Sequence, residues 1–158
     1  MDSTDAPRVF LVVVDESPEM AVSLYYASRR AQRTGGRVAL LRVIPPHEGH
    51  GLASVEALMR EEAQHEAEQL LQRLAKTVVD ETGKVPAIYV KEGSARDELM
   101  DLVTNDPSIS ILVLAAGTGS DGPGPLVSFL ATKGLAKLRI PVTIVPGSLT
   151  HEQIDAIS

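Results

Sequence analysis

Short apolar runs alternate along this chain with longer amphipathic segments, and the alternation predicts five strands connected by helices. The apolar runs are nearly continuous and rich in β-branched residues, which is typical of strands that are covered on both faces. We place the five strands at residues 8–14, 38–44, 86–91, 109–116 and 141–145.

The segments between the strands have apolar residues every three or four positions, which indicates amphipathic helices. We predict helices at about residues 18–34, 52–82, 95–104 and 126–138. Ser17 suits the N-cap of the first helix and Pro18 its first helical position. Near the C-terminus, Thr150 and Gln153 have the spacing of a capping box for one further turn.

Strict alternation of strand and helix predicts a single-domain α/β fold. The expected architecture is an open five-stranded parallel sheet with right-handed crossovers and helices on both faces. We assign residues 1–147 to this domain and residues 148–158 to a C-terminal tail with a short helix. Ligands bind such sheets beyond the carboxyl ends of the strands, where the strand order reverses. The loops after Val14 and Ile44 and the loop at residues 117–125 should meet there.

Composition narrows the function classes. The 158 residues include no cysteine, which excludes disulfides, thiolate metal sites and a cysteine nucleophile. The formal net charge of −6 comes without a cluster of lysine and arginine, so we expect no nucleic-acid partner and no anionic membrane partner. The first seven residues are polar and acidic, and no apolar run has the ~20 residues of a membrane helix, which predicts a cytoplasmic protein.

The loop at residues 117–125 carries the most informative chemistry, because it joins an apolar strand to the start of a helix. A helix start offers unpaired N–H groups and the positive end of a dipole to an anion. Pro125 suits the first helical position, which would leave the next three N–H groups available. The loop contains more glycines than an ordinary turn needs: Gly117, Gly119, Gly122 and Gly124.

Other residues of the same loop oppose the binding of a triphosphate. Pro123 and Pro125 lack N–H donors. Asp121 places a negative charge where a triphosphate needs a positive one. We therefore expect a modified nucleotide or anion site at this loop.

No metal site or catalytic set is predicted. His47, Glu48 and His50 belong to a polar loop, and a solvated loop explains them better than a metal site does. Ser128 lacks the G-x-S-x-G elbow of a nucleophile. The expected activity is therefore binding, with slow ATP hydrolysis at most.

Five segments, taken in order, resemble the universal stress protein family. They are V-V-V-D-E-S-P-E-M-A from position 12, L-L-R-V-I-P-P from 40, V-K-E-G-S-A-R-D-E-L from 90, I-L-V-L-A-A-G from 111 and I-P-V-T-I-V-P from 140. The resemblance implies an adenine nucleotide alpha hydrolase-like, Rossmann-like fold. It also implies a homodimer paired through the last strand, from Val142 to Val145. One branch of this family binds ATP, and another lacks the nucleotide motif and does not.

The resemblance also implies roles for three residues. Asp15 would be the acidic residue near adenine and ribose, Val43 would contact adenine through its backbone, and Gly117 would open the phosphate loop. A second interpretation makes Asp15 a turn residue that fastens Ser17 to the helix start. Val43 is in either case a buried strand valine.

The phosphate motif departs from that of the ATP-binding branch, which has Gly, two residues, Gly, nine residues and then Gly-Ser or Gly-Thr. Ser120 follows three residues after Gly117 and takes the place of the second glycine. Gly119 and Gly122 have the first spacing, but the far end then falls on Thr132. Counting back from Pro141 puts the hydroxyl at Ser128 without its glycine.

The resulting hypothesis is a homodimeric regulatory protein that binds ATP or another adenine nucleotide, with Mg²⁺ if the ligand is ATP. The alternative is an interaction protein of the same fold that binds no nucleotide and acts through its dimer surface. The candidate binding residues are Asp15, Val43, Gly117, Gly119, Gly122, Gly124 and Ser128.

Overall fold

The computed structural model describes residues 6–46 and 51–158, and it contains one sheet of five parallel strands in the order β3-β2-β1-β4-β5. This arrangement confirms the predicted fold class. The strand boundaries lie within about two residues of those predicted. The strands are β1 (Val9–Val13), β2 (Arg37–Ile44), β3 (Ala87–Glu92), β4 (Ile111–Ala116) and β5 (Val142–Pro146).

In the described residues, five α-helices accompany the sheet: α1 (Met20–Thr34), α2 (Ala53–Thr82), α3 (Ala95–Asn105), α4 (Pro125–Phe129) and α5 (His151–Ile157). Helices α1 and α2 cover one face of the sheet, and α3 and α4 cover the other. In residues 6–46 and 51–158, no helix is both long and apolar enough to cross a membrane.

The central strand β1 supplies both apolar layers, because successive side chains of a strand point to opposite faces. Phe10 and Val12 pack beneath α1 and α2, whereas Leu11 and Val13 pack beneath α3 and α4. All four side chains are buried. This two-sided burial explains why the segment is apolar at every position rather than at every second one.

The start of α1 differs from the prediction. Ser17 is not the N-cap, because its N–H and its Oγ both donate to Oδ1 of Asp15, at 2.9 and 2.6 Å. Pro18 therefore lies in a turn, and the helix begins at Met20, with Glu19 at the N-cap and no side-chain cap. Ser17 thus forms the Asp-x-Ser turn instead of capping the start of α1.

The helix before β5 also differs from the prediction, which had one continuous helix over residues 126–138. The α-helical part ends at Phe129 and continues as a π turn (Leu130–Gly134) and a 3-10 turn (Leu135–Lys137). At Gly134 the backbone passes so close to its neighbours that a Cβ would lie 2.7 Å from the Phe129 ring. Pro125 is the first helical residue, as predicted.

The C-terminal helix α5 begins with the predicted capping box, in which Thr150 accepts a hydrogen bond from the Gln153 N–H and Gln153 accepts one from the Thr150 N–H. It packs against α1 of the same chain. Ile154 is fully buried, and the His151 ring stacks on the Tyr25 ring at 3.8 Å. The division of the chain into a domain and a tail stays a prediction.

Asp155 fastens α5 to α1. Its Oδ1 accepts a hydrogen bond from the Tyr25 hydroxyl at 2.7 Å and pairs with Arg29 at 3.0 Å. Arg30 donates to the Ser158 carbonyl, and Arg33 donates to the Asp155 carbonyl. The arginines at the end of α1 thus hold the C-terminal segment, a role beyond the complement to the α1 dipole that their sequence position suggests.

Candidate functional site: a cleft between β1 and β4

The strand order reverses between β1 and β4, because the chain proceeds from β1 to β2 on one side and later returns to β4 on the other. This is the position at which open parallel sheets bind ligands. A cleft of about 90 Å³ opens there. Its walls come mainly from the segment after β1, from the loop before α4 and from the start of α4, and they include Asp15, Ser17, Glu19, Pro123, Gly124, Pro125, Leu126 and Val127.

Asp15 lies in the cleft wall and also makes the turn that the sequence left as its second interpretation. The two hydrogen bonds from Ser17 use only Oδ1. Within residues 6–46 and 51–158, no group donates a hydrogen bond to its Oδ2. The side chain is exposed, so this oxygen is available to a ligand without breaking the turn.

The start of α4 presents two N–H groups rather than three. Leu126 and Val127 follow Pro125 in the first helical turn, where N–H groups have no partner within the helix. The Ser128 N–H, by contrast, donates to the Gly124 carbonyl at 3.0 Å. The expectation that it stays available is therefore wrong. The Ser128 side chain is exposed and does not line the cleft.

Three of the four loop glycines, Gly117, Gly122 and Gly124, have a structural explanation that needs no ligand. A Cβ on Gly117 would lie 2.7 Å from the Gly122 carbonyl oxygen, since the loop folds back onto the end of β4. Gly122 and Gly124 have φ angles of 81° and 107°, which favour glycine. Gly119 faces open space, and only Gly124 of the four lines the cleft.

Val43 lies at the edge of the site rather than in its wall. The β1–β2 ladder ends where the Val14 N–H donates to the Leu41 carbonyl at 2.7 Å. Alternate residues of a parallel strand turn their backbone groups to the same side. The backbone of Val43 therefore points past the end of β1, while its side chain is buried beneath α3 and α4.

Sequence reasoning missed Glu19, which lines the cleft. Its side chain passes between two glycines that end neighbouring strands. A Cβ on Gly117 would lie 3.2 Å from Glu19 Oε1, and a Cβ on Gly147 would clash with Glu19 Cγ. No local pattern marks this residue, because its surroundings come from positions about a hundred residues away in the chain.

The charges at this edge of the sheet are mainly negative. Asp15 and Glu19 line the cleft, and Glu16 adjoins it. Arg42 pairs with Glu16 at 3.6 Å and donates to the Val14 carbonyl at 3.3 Å. In the described part of the chain, no group of three or more histidine or acidic residues could hold a metal ion. His47, Glu48 and His50 lie outside the described residues.

A five-stranded parallel sheet of this order, with a cleft at its switch point and helices on both faces, defines the adenine nucleotide alpha hydrolase-like class of α/β folds. The model of the universal stress protein family matches residues 7–146. The chain belongs to the universal stress protein family. It matches no curated protein sequence at a significant level.

Solved structures of universal stress proteins have the same fold. The universal stress protein UspA from Lactobacillus plantarum is 19% identical with a TM-score of 0.72, over 87% of this chain and 97% of that one. A family member from Arabidopsis thaliana with AMP bound is 17% identical with a TM-score of 0.59, over 89% and 92%. One from Archaeoglobus fulgidus in complex with dAMP is 17% identical with a TM-score of 0.55, over 88% and 97%.

Proposed function

We propose that this protein is a regulatory binding protein that takes an adenine nucleotide in the cleft between β1 and β4. One observation carries the proposal. Asp15, whose Oδ2 accepts no hydrogen bond from a described residue, lines the same switch-point cleft as a helix start with two N–H groups that lack a helical partner. Asp15 and the Val43 backbone would hold the adenosine, and the N–H groups of Leu126 and Val127 would hold a phosphate.

A nucleotide with one phosphate fits these surroundings better than ATP does. Pro123 and Pro125 offer no N–H donor, and the acidic residue Glu19 lines the cleft. The cleft is small beside the ~300–1,000 Å³ of typical ligand pockets, so nucleotide entry requires the loop to move outward. The two nucleotide-bound relatives described above carry AMP and dAMP, which have one phosphate each.

The proposed activity is binding rather than turnover, and its cytoplasmic location remains part of the proposal. Asp121 is the loop residue that could hold Mg²⁺, and it does not line the cleft. ATP hydrolysis needs a held metal and an oriented water. Occupancy of the cleft would instead change the affinity for a protein partner.

The proposal includes a homodimer paired through β5. This strand ends the sheet, and Ile144 on it is 43% exposed. An apolar edge strand needs a partner or a cover. Sedimentation equilibrium tests this part, and a monomer at micromolar concentration would refute it without affecting the cleft.

A second candidate function is a ligand-free interaction protein, and Glu19 is the observation that favours it. Its side chain occupies the space between Gly117 and Gly147 and brings a negative charge to the place where a phosphate would bind. In this case the glycines serve only the loop geometry.

The deciding experiment is mass spectrometry of small molecules released from freshly purified, heat-denatured protein, followed by thermal melts with AMP, cAMP and ATP. A ligand at about 100 times its Kd stabilises the native state by about 2.7 kcal/mol. We expect AMP to raise the melting temperature of the wild type and of Glu16→Gln, but not of Asp15→Asn. Glu16→Gln removes the same charge one residue away from the proposed site. A blank spectrum together with no shift by any nucleotide would favour the ligand-free function.

A further inference from the structure

Only part of helix α2 packs into the core. Its 30 residues extend about 45 Å at 1.5 Å per residue. The buried residues of α2 are Ala67, Leu71, Ala75 and Val78, and none of them comes before its fifteenth residue. Residues 53–66, which we call the α2 extension, contribute no buried side chain to the core.

The apolar residues of α2 nevertheless continue into the α2 extension. Val55, Leu58 and Met59 are 48%, 54% and 44% exposed, and Leu52, just before the helix, is 73% exposed. Leu52, Val55 and Met59 recur at helical spacing, so they form a stripe rather than scattered single residues. Contiguous exposed apolar surface of this kind marks an interaction site.

A groove lies beside this stripe. Met59 and Ala63 face Ile44 and Pro45 across a hollow of about 360 Å³. An adjoining hollow of about 410 Å³ shares Ile44, Pro45 and Ala63. The two hollows lie next to each other, and their lining residues on α2 run from Met59 to Arg73, about 21 Å at 1.5 Å per residue.

The charge of the α2 extension indicates which partner fits. It contains four glutamates, Glu56, Glu61, Glu62 and Glu66, and one arginine. That arginine, Arg60, is paired with Glu92 at 3.5 Å. Arg42 and Arg73 also line the groove, and Arg42 is paired with Glu16 at 3.6 Å, so the excess of negative charge lies on the α2 extension. A second copy of the same surface would bring like charges together, whereas a basic segment would be attracted.

We propose that the α2 extension docks a basic amphipathic helix of a partner protein. The apolar face of that helix lies on Leu52, Val55 and Met59 and in the groove, and its lysines and arginines face the glutamates. This is the helix-in-groove mode of recognition, with anchors spaced three and four residues apart. The surface is separate from the β1–β4 cleft, so this proposal does not depend on nucleotide binding.

The test uses a synthetic helical peptide of about 18 residues, or five turns, with leucines at i, i+3, i+4 and i+7 and lysines elsewhere. Its binding is followed by fluorescence anisotropy. The comparison peptide has glutamate in place of every lysine. We expect the lysine peptide to bind and the glutamate peptide to bind at least ~10-fold more weakly. Added salt should weaken the binding of the lysine peptide, because exposed charges are screened.

The variant Val55→Gln/Met59→Gln removes the apolar anchors and keeps good helix formers. Val85→Gln is the control, since Val85 is 67% exposed and lies outside α2. The double variant should bind the peptide at least ~10-fold more weakly, and the control should match the wild type. Glu62→Gln/Glu66→Gln should weaken binding several-fold, which keeps the test decisive if the first variant folds poorly.

Three results would overturn the proposal: no binding of the lysine peptide, equal binding of both peptides, or equal binding by the wild type and both double variants. Self-association of the wild type that Val55→Gln/Met59→Gln abolishes and Val85→Gln retains would assign this surface to a second copy. That result would also overturn it.

Discussion

The same three-residue turn occurs at opposite edges of the sheet, and only one copy faces the cleft. Asp15 follows β1 at the carboxyl edge, and its Oδ1 accepts from the N–H and Oγ of Ser17 at 2.9 and 2.6 Å. Asp106 precedes β4 at the other edge, and its Oδ1 accepts from the N–H and Oγ of Ser108 at 3.0 and 2.5 Å. The local geometry of the two turns is nearly identical.

The surroundings of the second carboxylate oxygen differ. Oδ2 of Asp106 accepts a hydrogen bond from the Tyr89 hydroxyl at 2.7 Å, and its backbone carbonyl accepts one from Arg139. The hydrogen bonds from Ser108 and then Tyr89 hold the pKa of Asp106 below its usual value. Oδ2 of Asp15 has no such donor in the described part of the chain. The same Asp-x-Ser motif thus has a structural role where a neighbouring side chain donates to the second carboxylate oxygen. Where no neighbour does so, that oxygen is available to a ligand.

The largest effect on stability should come from Asp106→Ala. The substitution removes the acceptor for Ser108 and Tyr89, and each lost hydrogen bond costs about 0.5–1.5 kcal/mol. We expect a loss of about 2 kcal/mol in the free energy of unfolding, measured by urea denaturation. The stabilisation by AMP should persist in this variant. A loss below ~0.5 kcal/mol would mean that Asp106 is not the saturated member of the pair.

Tyr89→Phe should cost about 1 kcal/mol at neutral pH, because one hydrogen bond to a charged group is lost. Burial, followed by the hydrogen bond to Asp106, raises the pKa of Tyr89 to about 12. The Asp106 carboxylate has a lowered pKa, so its contribution is present above 3.8 and is lost as the pH falls through its folded-state pKa. The difference between wild type and variant should therefore narrow at acid pH. Urea denaturation at neutral pH and below pH 3.8 checks this, and a constant difference would contradict it.

Asp15→Ala should cost less than about 1 kcal/mol of stability, because the Asp15 side chain is exposed and, in the described part of the chain, accepts hydrogen bonds only from Ser17. It should instead abolish the rise in melting temperature with AMP, if Asp15 binds the nucleotide as proposed. Thermal melts of Asp15→Ala and Asp106→Ala, each with and without AMP, show whether the two turns divide stability and binding in this way. A preserved AMP shift in Asp15→Ala would refute the ligand role of Asp15.

Glu19→Gln should have the smallest effect on stability, within about 0.5 kcal/mol, since the amide retains the shape between Gly117 and Gly147. Removal of the negative charge should strengthen AMP binding by about fivefold, or about 1 kcal/mol. Isothermal titration calorimetry measures the change. An unchanged Kd would place the phosphate away from Glu19.

Strands and crossovers were predictable because each is encoded by a local run of residues. The apolar strand segments and the glycines at residues 35 and 83 mark boundaries that the structure retains. Two predicted helix boundaries were wrong, because they depend on contacts that the local hydrophobic pattern does not show. Ser17 bonds to Asp15 rather than to the helix start, and the close packing at Gly134 accompanies a π turn where a continuous helix was expected.

The candidate site was less predictable than the fold, because it depends on which distant segments meet. The position of the cleft followed from the strand alternation alone. The position of Glu19 between Gly117 and Gly147 could not be predicted, since nothing near Glu19 in the chain indicates either neighbour. The role of the glycine-rich loop in ligand binding stays a prediction, because a fold-back of the loop onto β4 also accounts for Gly117.

The central position of β1 has a consequence for how this chain folds. One side of β1 pairs with β2, which follows it closely in the chain, whereas the other side pairs with β4, which comes much later. The hydrogen bond from the Val9 N–H to the Ser110 hydroxyl, for example, joins residues 101 positions apart. The entropy of closing so long a loop is lost before the β1–β4 contacts form and stabilise the fold. We therefore expect folding in milliseconds to seconds rather than microseconds. During synthesis, the most apolar strand has one bare edge until β4 leaves the ribosome. That interval is when the chain is most exposed to aggregation.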